Sequence, residues 1–275
     1  MKKLILIYSF TFLLFASVFS QIKDIGNLAY VKNYTIDDYK GSAQIWSAFQ
    51  DNNGIMYFGS NVGILQFDGK NWQKISVPNE VVRCFATDNN GIIYVGGKSE
   101  FGYLFPNTSG TLEYNSLLEF LPDSLRNCGN VWDVFINQSN DVIFHTYDAF
   151  YIYKDSSLTT IPVEDNGLLV RSFFIDDKIY VQNKGKGIEI LNSEELTLIP
   201  NSEIFADEMV KGIFKSDNKL IFISWSQGVF EYDGTTFNKI ITPIDDFINS
   251  DIYKILPVKN DYIAFGMNQN LAKPH

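Results

Sequence analysis

Residues 45–76, IWSAFQDNNGIMYFGSNVGILQFDGKNWQKIS, hold one complete copy of a unit that the chain repeats. Their pattern predicts four short strands, at residues 45–50, 55–59, 63–67 and 72–76, each bounded by turn residues. The first turn, Asp51–Gly54, suits a tight hairpin because its Asn-Gly pair readily adopts positive φ. The unit is therefore predicted to be a four-stranded sheet whose consecutive strands are joined by short connections.

The apolar first strand of this unit recurs with a period of about 40 residues. Its successive copies are Ile45–Phe49, Val82–Ala86, Val131–Phe135, Val170–Phe174, Val210–Phe214 and Ile252–Leu256. A period of this length that is built from short strands alone is typical of β-propeller blades. We therefore predict an all-β propeller of four-stranded blades, five complete and a partial sixth, in a chain truncated from a longer protein.

The beginning of the chain has the composition of a secretory signal peptide. Lys2 and Lys3 precede the apolar stretch Leu4–Phe19, and cleavage is predicted near Ser20. A retained membrane anchor is the alternative, but the apolar stretch is short for a span. No later stretch is long and apolar enough to cross a membrane, so we predict a periplasmic or secreted protein.

The rest of the chain divides into three predicted segments. Residues 21–44 form an N-terminal segment, in which Leu28–Tyr34 is a candidate outer strand that closes the ring. Residues 45–266 hold the blades, and residues 267–275 form an unstructured tail because they carry no strand pattern. In four copies the third strand starts at a glycine that we expect to permit close passage of the neighbouring blade; these glycines are Gly63, Gly102, Gly187 and Gly228.

The composition limits the classes of partner. The 275 residues carry a formal net charge of −10, and the sequence pI is about 4.7. Nucleic acids and anionic membrane surfaces are bound through clustered Lys and Arg, so the acidic balance argues against both. Cys84 and Cys128 are the two cysteines, and in an oxidising compartment a disulfide is one outcome, although two separate thiols are favoured.

The motifs of the first two units resemble the two-component regulator propeller repeats of periplasmic sensors in Bacteroidetes-type bacteria. The matching stretches are Ile45–Ser47, Gln50–Ser60, Gly63–Gly69, Ile93–Gly97 and Glu100–Tyr103. The resemblance covers roughly residues 25–265. It implies the extracytoplasmic sensor part of a signal-transduction or transcription regulator that continues into a membrane helix and a kinase or DNA-binding domain. It also implies an oligosaccharide ligand and a homodimer of the full-length receptor.

One position of the repeat predicts a ligand site. The second residue of each inner strand is Trp46, Arg83, Trp132, Arg171, Lys211 and Tyr253 in successive copies. Equivalent positions around a ring should lie at the same mouth, where aromatic faces and cations suit a sugar with polar or carboxylate groups. The loops between the second and third strands add Glu100, Tyr147 and Trp225 as exposed candidates. The alternative interpretation is structural: the aromatic residues pack between blades and the cations pair with carboxylates.

Catalysis has little support in the sequence. The two histidines are His145, on a predicted strand, and His275 at the terminus, and no nucleophile is evident near either. No zinc-ligand spacing occurs, and Asp51–Gly54 lacks the later ligands of a calcium loop. We therefore predict a non-enzymatic, cofactor-free sensor. The alternatives are a secreted scaffold for protein–protein interaction and, less favoured, a propeller lyase.

Overall fold

The computed structural model describes residues 32–164, 167–192, 195–241, 252–258 and 261–266, the last two ranges as strands without their side chains. The chain divides into two compact units, residues 1–38 and 39–275. The predicted signal peptide, residues 21–31 and the tail at 267–275 lie outside the described residues. In the part of the predicted closing strand that is described, residues 32–34 belong to no strand, and the short helix α1 (Ile36–Tyr39) follows.

The second unit contains all the strands of the described ranges, and they form an all-β fold as predicted. These strands are β1 (Ile45–Gln50), β2 (Met56–Ser60), β3 (Gly63–Phe67), β4 (Trp72–Ile75), β5 (Val82–Thr87), β6 (Ile93–Gly97), β7 (Glu100–Pro106), β8 (Leu112–Ser116), β9 (Asp133–Ile136), β10 (Val142–His145), β11 (Ala149–Lys154), β12 (Ser157–Pro162), β13 (Leu168–Ile175), β14 (Lys178–Lys184), β15 (Gly187–Leu191), β16 (Leu196–Leu198), β17 (Val210–Ser216), β18 (Lys219–Ser224), β19 (Val229–Tyr232), β20 (Phe237–Ile240), β21 (Ile252–Val258) and β22 (Asp261–Gly266).

Within the described ranges these strands form five four-stranded antiparallel sheets and one two-stranded sheet. Each sheet keeps its strands in chain order, so β1–β4 make blade 1, β5–β8 blade 2, β9–β12 blade 3, β13–β16 blade 4 and β17–β20 blade 5. The inner strands of successive blades lie side by side, with β1 against β5, β5 against β9, β13 against β17 and β17 against β21. This stacking of similar sheets, first strand to first strand, is the arrangement of a propeller.

The longest step of the repeat contains a small insertion between blades 2 and 3. The sequence predicts a short helical turn within Ser116–Leu125, and the structure has two single 3₁₀ turns there, Leu118–Phe120 and Asp123–Leu125. Leu117 and Leu121 of this insertion are buried against both blades. The insertion therefore extends the inter-blade core rather than projecting into solvent.

The predicted hairpin turns form through side-chain hydrogen bonds to the backbone. Oδ1 of Asp51 accepts from the amides of Asn53 and Ile55, both at 2.9 Å. Asp88 repeats the pattern in the next blade, accepting from the amides of Asn90 and Ile92 at 2.9 and 2.8 Å. These carboxylates satisfy their own turns, as Asx turns do. The interpretation of Asp51–Gly54 as a hairpin turn is confirmed, and the described residues contain no group of metal-ligating side chains.

The core consists of aromatic clusters between adjacent blades. Phe101 of blade 2 contacts Phe144 and Tyr151 of blade 3, with ring centroids 4.6 and 5.1 Å apart. Phe205, which precedes blade 5, stacks on Phe222 of that blade with centroids at 5.6 Å. Because each blade buries both faces, its second strand has little polar alternation, and β6 is buried along its whole length.

Gly63 and Gly102 make close contacts within their own blades, so the prediction that they admit the neighbouring blade is wrong for these two. A Cβ built on Gly63 would lie 2.6 Å from the carbonyl oxygen of Ile75. The same atom on Gly102 would lie 2.0 Å from the carbonyl oxygen of Asn115. Ile75 and Asn115 are on the outer strands β4 and β8, which therefore pass directly over these glycines. Gly187 instead lies against the turn that leads to blade 5, because a Cβ built on it would lie 2.7 Å from the carbonyl oxygen of Ser202.

Candidate functional site

A bulge at the start of the inner strand marks the position that the sequence singled out. The pairing of β1 with β2 skips Trp46, that of β5 with β6 skips Arg83, and that of β17 with β18 skips Lys211. The pairing of β21 with β22 likewise skips Tyr253, whose side chain lies outside the described residues. A bulged residue has no cross-strand partner, and the extra residue redirects its side chain. These four copies thus each present one side chain at equivalent places, whereas Trp132 of blade 3 directly precedes β9 and is not part of a bulge.

The fourth copy departs from the predicted register by one residue. The bulge in β13 lies between Leu169 and Arg171, so the residue equivalent to Arg83 and Lys211 is Val170. Leu169 is fully buried, as Val82 and Val210 are in the same position of their blades. Arg171 instead pairs with Gln182 in the ladder. The assignment of Arg171 to this ring of positions is therefore wrong.

Four of the predicted residues form one continuous stack, which we call the aromatic ladder: Trp46, Arg83, Trp132 and Tyr147. The Arg83 guanidinium lies between two indoles, 4.2 Å from the ring centroid of Trp46 and 4.3 Å from that of Trp132. Trp132 then packs against Tyr147 with centroids 5.1 Å apart. The ladder extends across blades 1, 2 and 3. Its first member, Trp46, donates a hydrogen bond from Nε1 to Oδ1 of Asn61 at 2.7 Å.

Arg83 is a cation whose neighbours are mainly aromatic. Burial is the main cause that lowers the pKa of its guanidinium from the ordinary value. Its Nε and Nη1 are shielded from solvent, and no described residue accepts a hydrogen bond from them; the same holds for Nε1 of Trp132. Stacking on both faces holds the guanidinium plane in place, because each indole face attracts a cation. The ladder thus contains a pre-oriented positive charge.

A second cation–aromatic pair occurs in blade 5. Lys211 is only 2% exposed, and its Nζ lies 4.6 Å from the ring centroid of Trp225. Trp225 is 40% exposed at the end of β18, where its amide donates to the carbonyl of Met209 at 2.7 Å. The structure therefore brings these two predicted residues together, but as a pair separate from the ladder in blades 1 to 3.

Glu100 does not lie in an exposed loop. It begins β7 and is buried, because the preceding connection is a tight turn at Lys98 and Ser99. Its Oε1 accepts hydrogen bonds from the Tyr114 hydroxyl at 2.9 Å and the Ser116 hydroxyl at 2.6 Å. The expectation of an exposed ligand contact at Glu100 is wrong: its carboxylate joins β7 to the outer strand of its own blade.

Burial is the largest influence on Glu100 and raises the pKa of its carboxyl, against the lowering effect of its hydrogen bonds. The pKa of Glu100 is therefore higher in the folded state than in the unfolded state. Its contribution to the free energy of unfolding is fully present below the unfolded-state pKa and is lost as the pH rises through the folded-state pKa. We expect Glu100→Gln, whose amide oxygen can still accept from Tyr114 and Ser116, to lose less stability than the wild type above pH 4.5, the ordinary value. Urea unfolding between pH 4.5 and 8 measures this.

Glu119→Gln is the control for that experiment, because Glu119 is exposed on a 3₁₀ turn. Its unfolding free energy should follow the wild-type pH profile. Parallel profiles for Glu100→Gln and the wild type would contradict a raised pKa at Glu100.

The structure also brings together three residues that the sequence did not connect. Nδ1 of the fully buried His145 is 2.8 Å from Oγ of Ser172 and 3.4 Å from Oδ2 of Asp133. Ser172 Oγ is also 2.9 Å from the same carboxylate oxygen. Both partners share Nδ1, and the buried Nε2 has no hydrogen-bond partner in the part of the chain that the structure describes. A nucleophile relay needs serine and carboxylate on opposite ring nitrogens, so this cluster, which joins blades 3 and 4, does not build one.

The two cysteines lie in the described part of the chain. Cys84 and Cys128 are both buried and form no disulfide. Sγ of Cys84 lies 3.8 Å from the carbonyl oxygen of Val131, and burial raises the pKa of the Cys128 thiol to about 12. The prediction of two separate thiols is confirmed.

The likeness to known proteins establishes a propeller-like fold. Virginiamycin B lyase from Staphylococcus aureus superposes with a TM-score of 0.55 over 84% of this chain and 86% of that one, at 14% identity. The extracellular domain of a hybrid two-component system from B. thetaiotaomicron matches 77% of this chain and 35% of its own, with a TM-score of 0.43 and 16% identity. At these identities the first match supports the fold alone.

In sequence, the chain is similar to Histidine kinase P4 from Formosa agariphila, with 24% identity over 252 residues. The match covers 80% of this chain and 18% of the kinase, so the chain spans less than a fifth of that relative. No family model matches the chain. Among the described residues, no helix is long and apolar enough to span a membrane.

Together these features define what the ladder can do chemically. Two indole faces, one phenol ring and one guanidinium succeed each other at bulged or loop positions, where side chains are not used for strand pairing. Trp46 is 41% exposed, so the stack has an accessible end. Aromatic faces bind the apolar face of a sugar ring, and fixed N–H donors bind its oxygens.

A cavity of about 390 Å³, lined by Asp51, Tyr57 and Phe105 among others, lies at the other end of β1.

Proposed function

We propose that this chain is the extracytoplasmic ligand-sensing propeller of a bacterial signal-transduction regulator and that it binds a carbohydrate without transforming it. The observation that carries the proposal is the aromatic ladder, a stack of two tryptophans, an arginine and a tyrosine drawn from three successive blades. A stack that draws on several blades can detect a ligand and respond through their relative positions. The similarity to part of a histidine kinase supports a signalling context.

The bulged positions support a binding role over a purely structural one. Trp46 and Arg83 have no cross-strand partner, so the pairing of the sheets does not require these residue types. Arg83 forms no ion pair with a described carboxylate, although the structural interpretation expects one. The other part of that interpretation is met, because Trp46 and Trp132 pack across the blades through Arg83, so it is the missing ion pair that favours a bound ligand.

The test is isothermal titration of the purified chain with a panel of oligosaccharides. We expect one panel member to bind and Trp46→Ala to weaken its binding about tenfold or more, because the exposed ring supplies stacking worth about 1.4 kcal/mol. Truncation also removes the contact of Trp46 with Arg83 and its hydrogen bond to Asn61, so the unfolding midpoint of the variant is measured alongside to establish that it is folded at the titration temperature.

Phe105→Ala is the matched control, because Phe105 is a 52% exposed aromatic residue of blade 2 that lies with Asp51, at the end of β1 away from Trp46. It should bind the same sugar as tightly as the wild type does. The proposal fails if no member of the panel binds the folded wild type, or if Trp46→Ala and the wild type bind equally.

A further inference from the structure

We infer that the ligand of the aromatic ladder is an acidic sugar whose carboxylate binds Nη2 of Arg83. This inference rests on the proposed function and names the class of carbohydrate. It follows from the balance of hydrogen-bond donors, acceptors and charges around the guanidinium.

The ladder has more donors than acceptors. Among the described residues, the buried side-chain atoms of the ladder without a hydrogen-bond partner are Nε and Nη1 of Arg83 and Nε1 of Trp132. All three are N–H donors. Because these shielded donors have no acceptor among the described residues, no protein hydrogen bond through them offsets the guanidinium charge, and an oxygen acceptor is favoured at the part of the group that a ligand can reach.

The charge at Arg83 also has no counter-charge among the described residues. No described carboxylate forms an ion pair with it, and the guanidinium forms no hydrogen bond to a described residue. Partial burial makes the absence of a counter-charge costly, because water screens the cation less than at an open surface. Binding of an anionic oxygen would offset that cost, and binding of a neutral hydroxyl would offset it only in part.

The geometry leaves one nitrogen for this contact. The indoles of Trp46 and Trp132 cover the two faces of the guanidinium, and Nε and Nη1 are shielded from solvent. Nη2 is outside the shielded set, so an approaching carboxylate meets the guanidinium edge at this atom. The flanking rings then contact the sugar that carries the carboxylate. A charge-assisted hydrogen bond of this kind is about twice as strong as a neutral one.

A matched pair of probes tests the inference. Two trisaccharides with the same linkages are compared, one with a glucuronate unit and the other with glucose at that place, with acetate as a third probe. We expect the acidic trisaccharide to bind about 10- to 100-fold more tightly than the neutral one, and acetate not to bind measurably. The preference should shrink between 50 and 500 mM NaCl, because salt screens the contact.

Variants locate the contact. Arg83→Gln should reduce binding of the acidic trisaccharide to the level of the neutral one. Arg171→Gln removes an equal charge one residue beyond the bulge and should keep the preference. If Arg83→Gln does not fold, the wild-type comparison of the three probes and its salt dependence still decide the matter.

The outcomes separate the two proposals. Equal binding of both trisaccharides by the wild type would overturn the acidic-sugar inference and leave the proposed carbohydrate function standing. Binding of acetate as tight as that of the acidic trisaccharide would also overturn it, because the site would then recognise a bare anion. If the folded protein binds neither these trisaccharides nor any member of the wider panel, the proposed function itself fails.

Discussion

Phe144→Ala should lower the free energy of unfolding by about 3–5 kcal/mol, the range typical of buried Phe truncations. Phe144 is completely buried, and its ring lies 4.6 Å from Phe101 and 6.4 Å from Tyr94, both in blade 2. Truncation therefore leaves a cavity at the junction of two blades, where neither sheet can collapse without losing its own strand pairing. Urea unfolding followed by tryptophan fluorescence measures the change.

Phe105→Ala again provides the control, since it removes a ring of the same size from an exposed site. Its unfolding free energy should change by less than about 1 kcal/mol. If Phe144→Ala lost no more than Phe105→Ala, the junction between blades 2 and 3 could not be the tightly packed core described above.

Gly102→Ala should destabilise the protein by about 3 kcal/mol or more, at the upper end of what overpacking causes. The added Cβ would lie 2.0 Å from the carbonyl oxygen of Asn115 and 2.6 Å from the Tyr114 hydroxyl oxygen. The carbonyl belongs to β8 and cannot withdraw without disturbing the pairing of Gly102 with Ser116. The tyrosine is held by its hydrogen bond to Glu100. The substitution therefore separates the outer strand from blade 2.

Gly110→Ala separates this steric effect from backbone strain. Gly110 has a φ of +82°, and nothing lies within 4 Å of an added Cβ. Its substitution should lower stability by only about 1–2 kcal/mol, the penalty for a left-handed alanine. A loss at Gly102 that is no larger than the loss at Gly110 would contradict the close approach of β8.

Local patterns in the sequence were sufficient to predict the strands and hairpins of the blades. The Asp-Asn-Asn-Gly turns and the spacing of short apolar runs predicted the hairpins at Asp51 and Asp88, because each depends on neighbouring residues alone. The stack of Trp46, Arg83 and Trp132 was also accessible to sequence reasoning, since equivalent positions of a repeat occupy equivalent places in space.

The register of the inner strand of blade 4 could not be predicted from the sequence in this way. Leu168, Leu169 and Val170 are three aliphatic residues in succession, so the sequence offers no sign of which one is bulged. A bulge shifts the frame by one residue, and that moved the assignment from Val170 to Arg171. The cluster of Asp133, His145 and Ser172 was missed for another reason: it depends on contacts across 39 and 27 residues of chain, which no local pattern records.

The bulges carry a consequence for the engineering and divergence of this protein. A residue that is skipped by the strand pairing can change in size and charge while the hydrogen bonds on either side of it persist. Trp46, Arg83 and Val170 already show this tolerance, because an indole, a cation and an aliphatic side chain occupy the same place in three blades. A library that randomises these positions together would explore new ligand preferences on an unchanged scaffold.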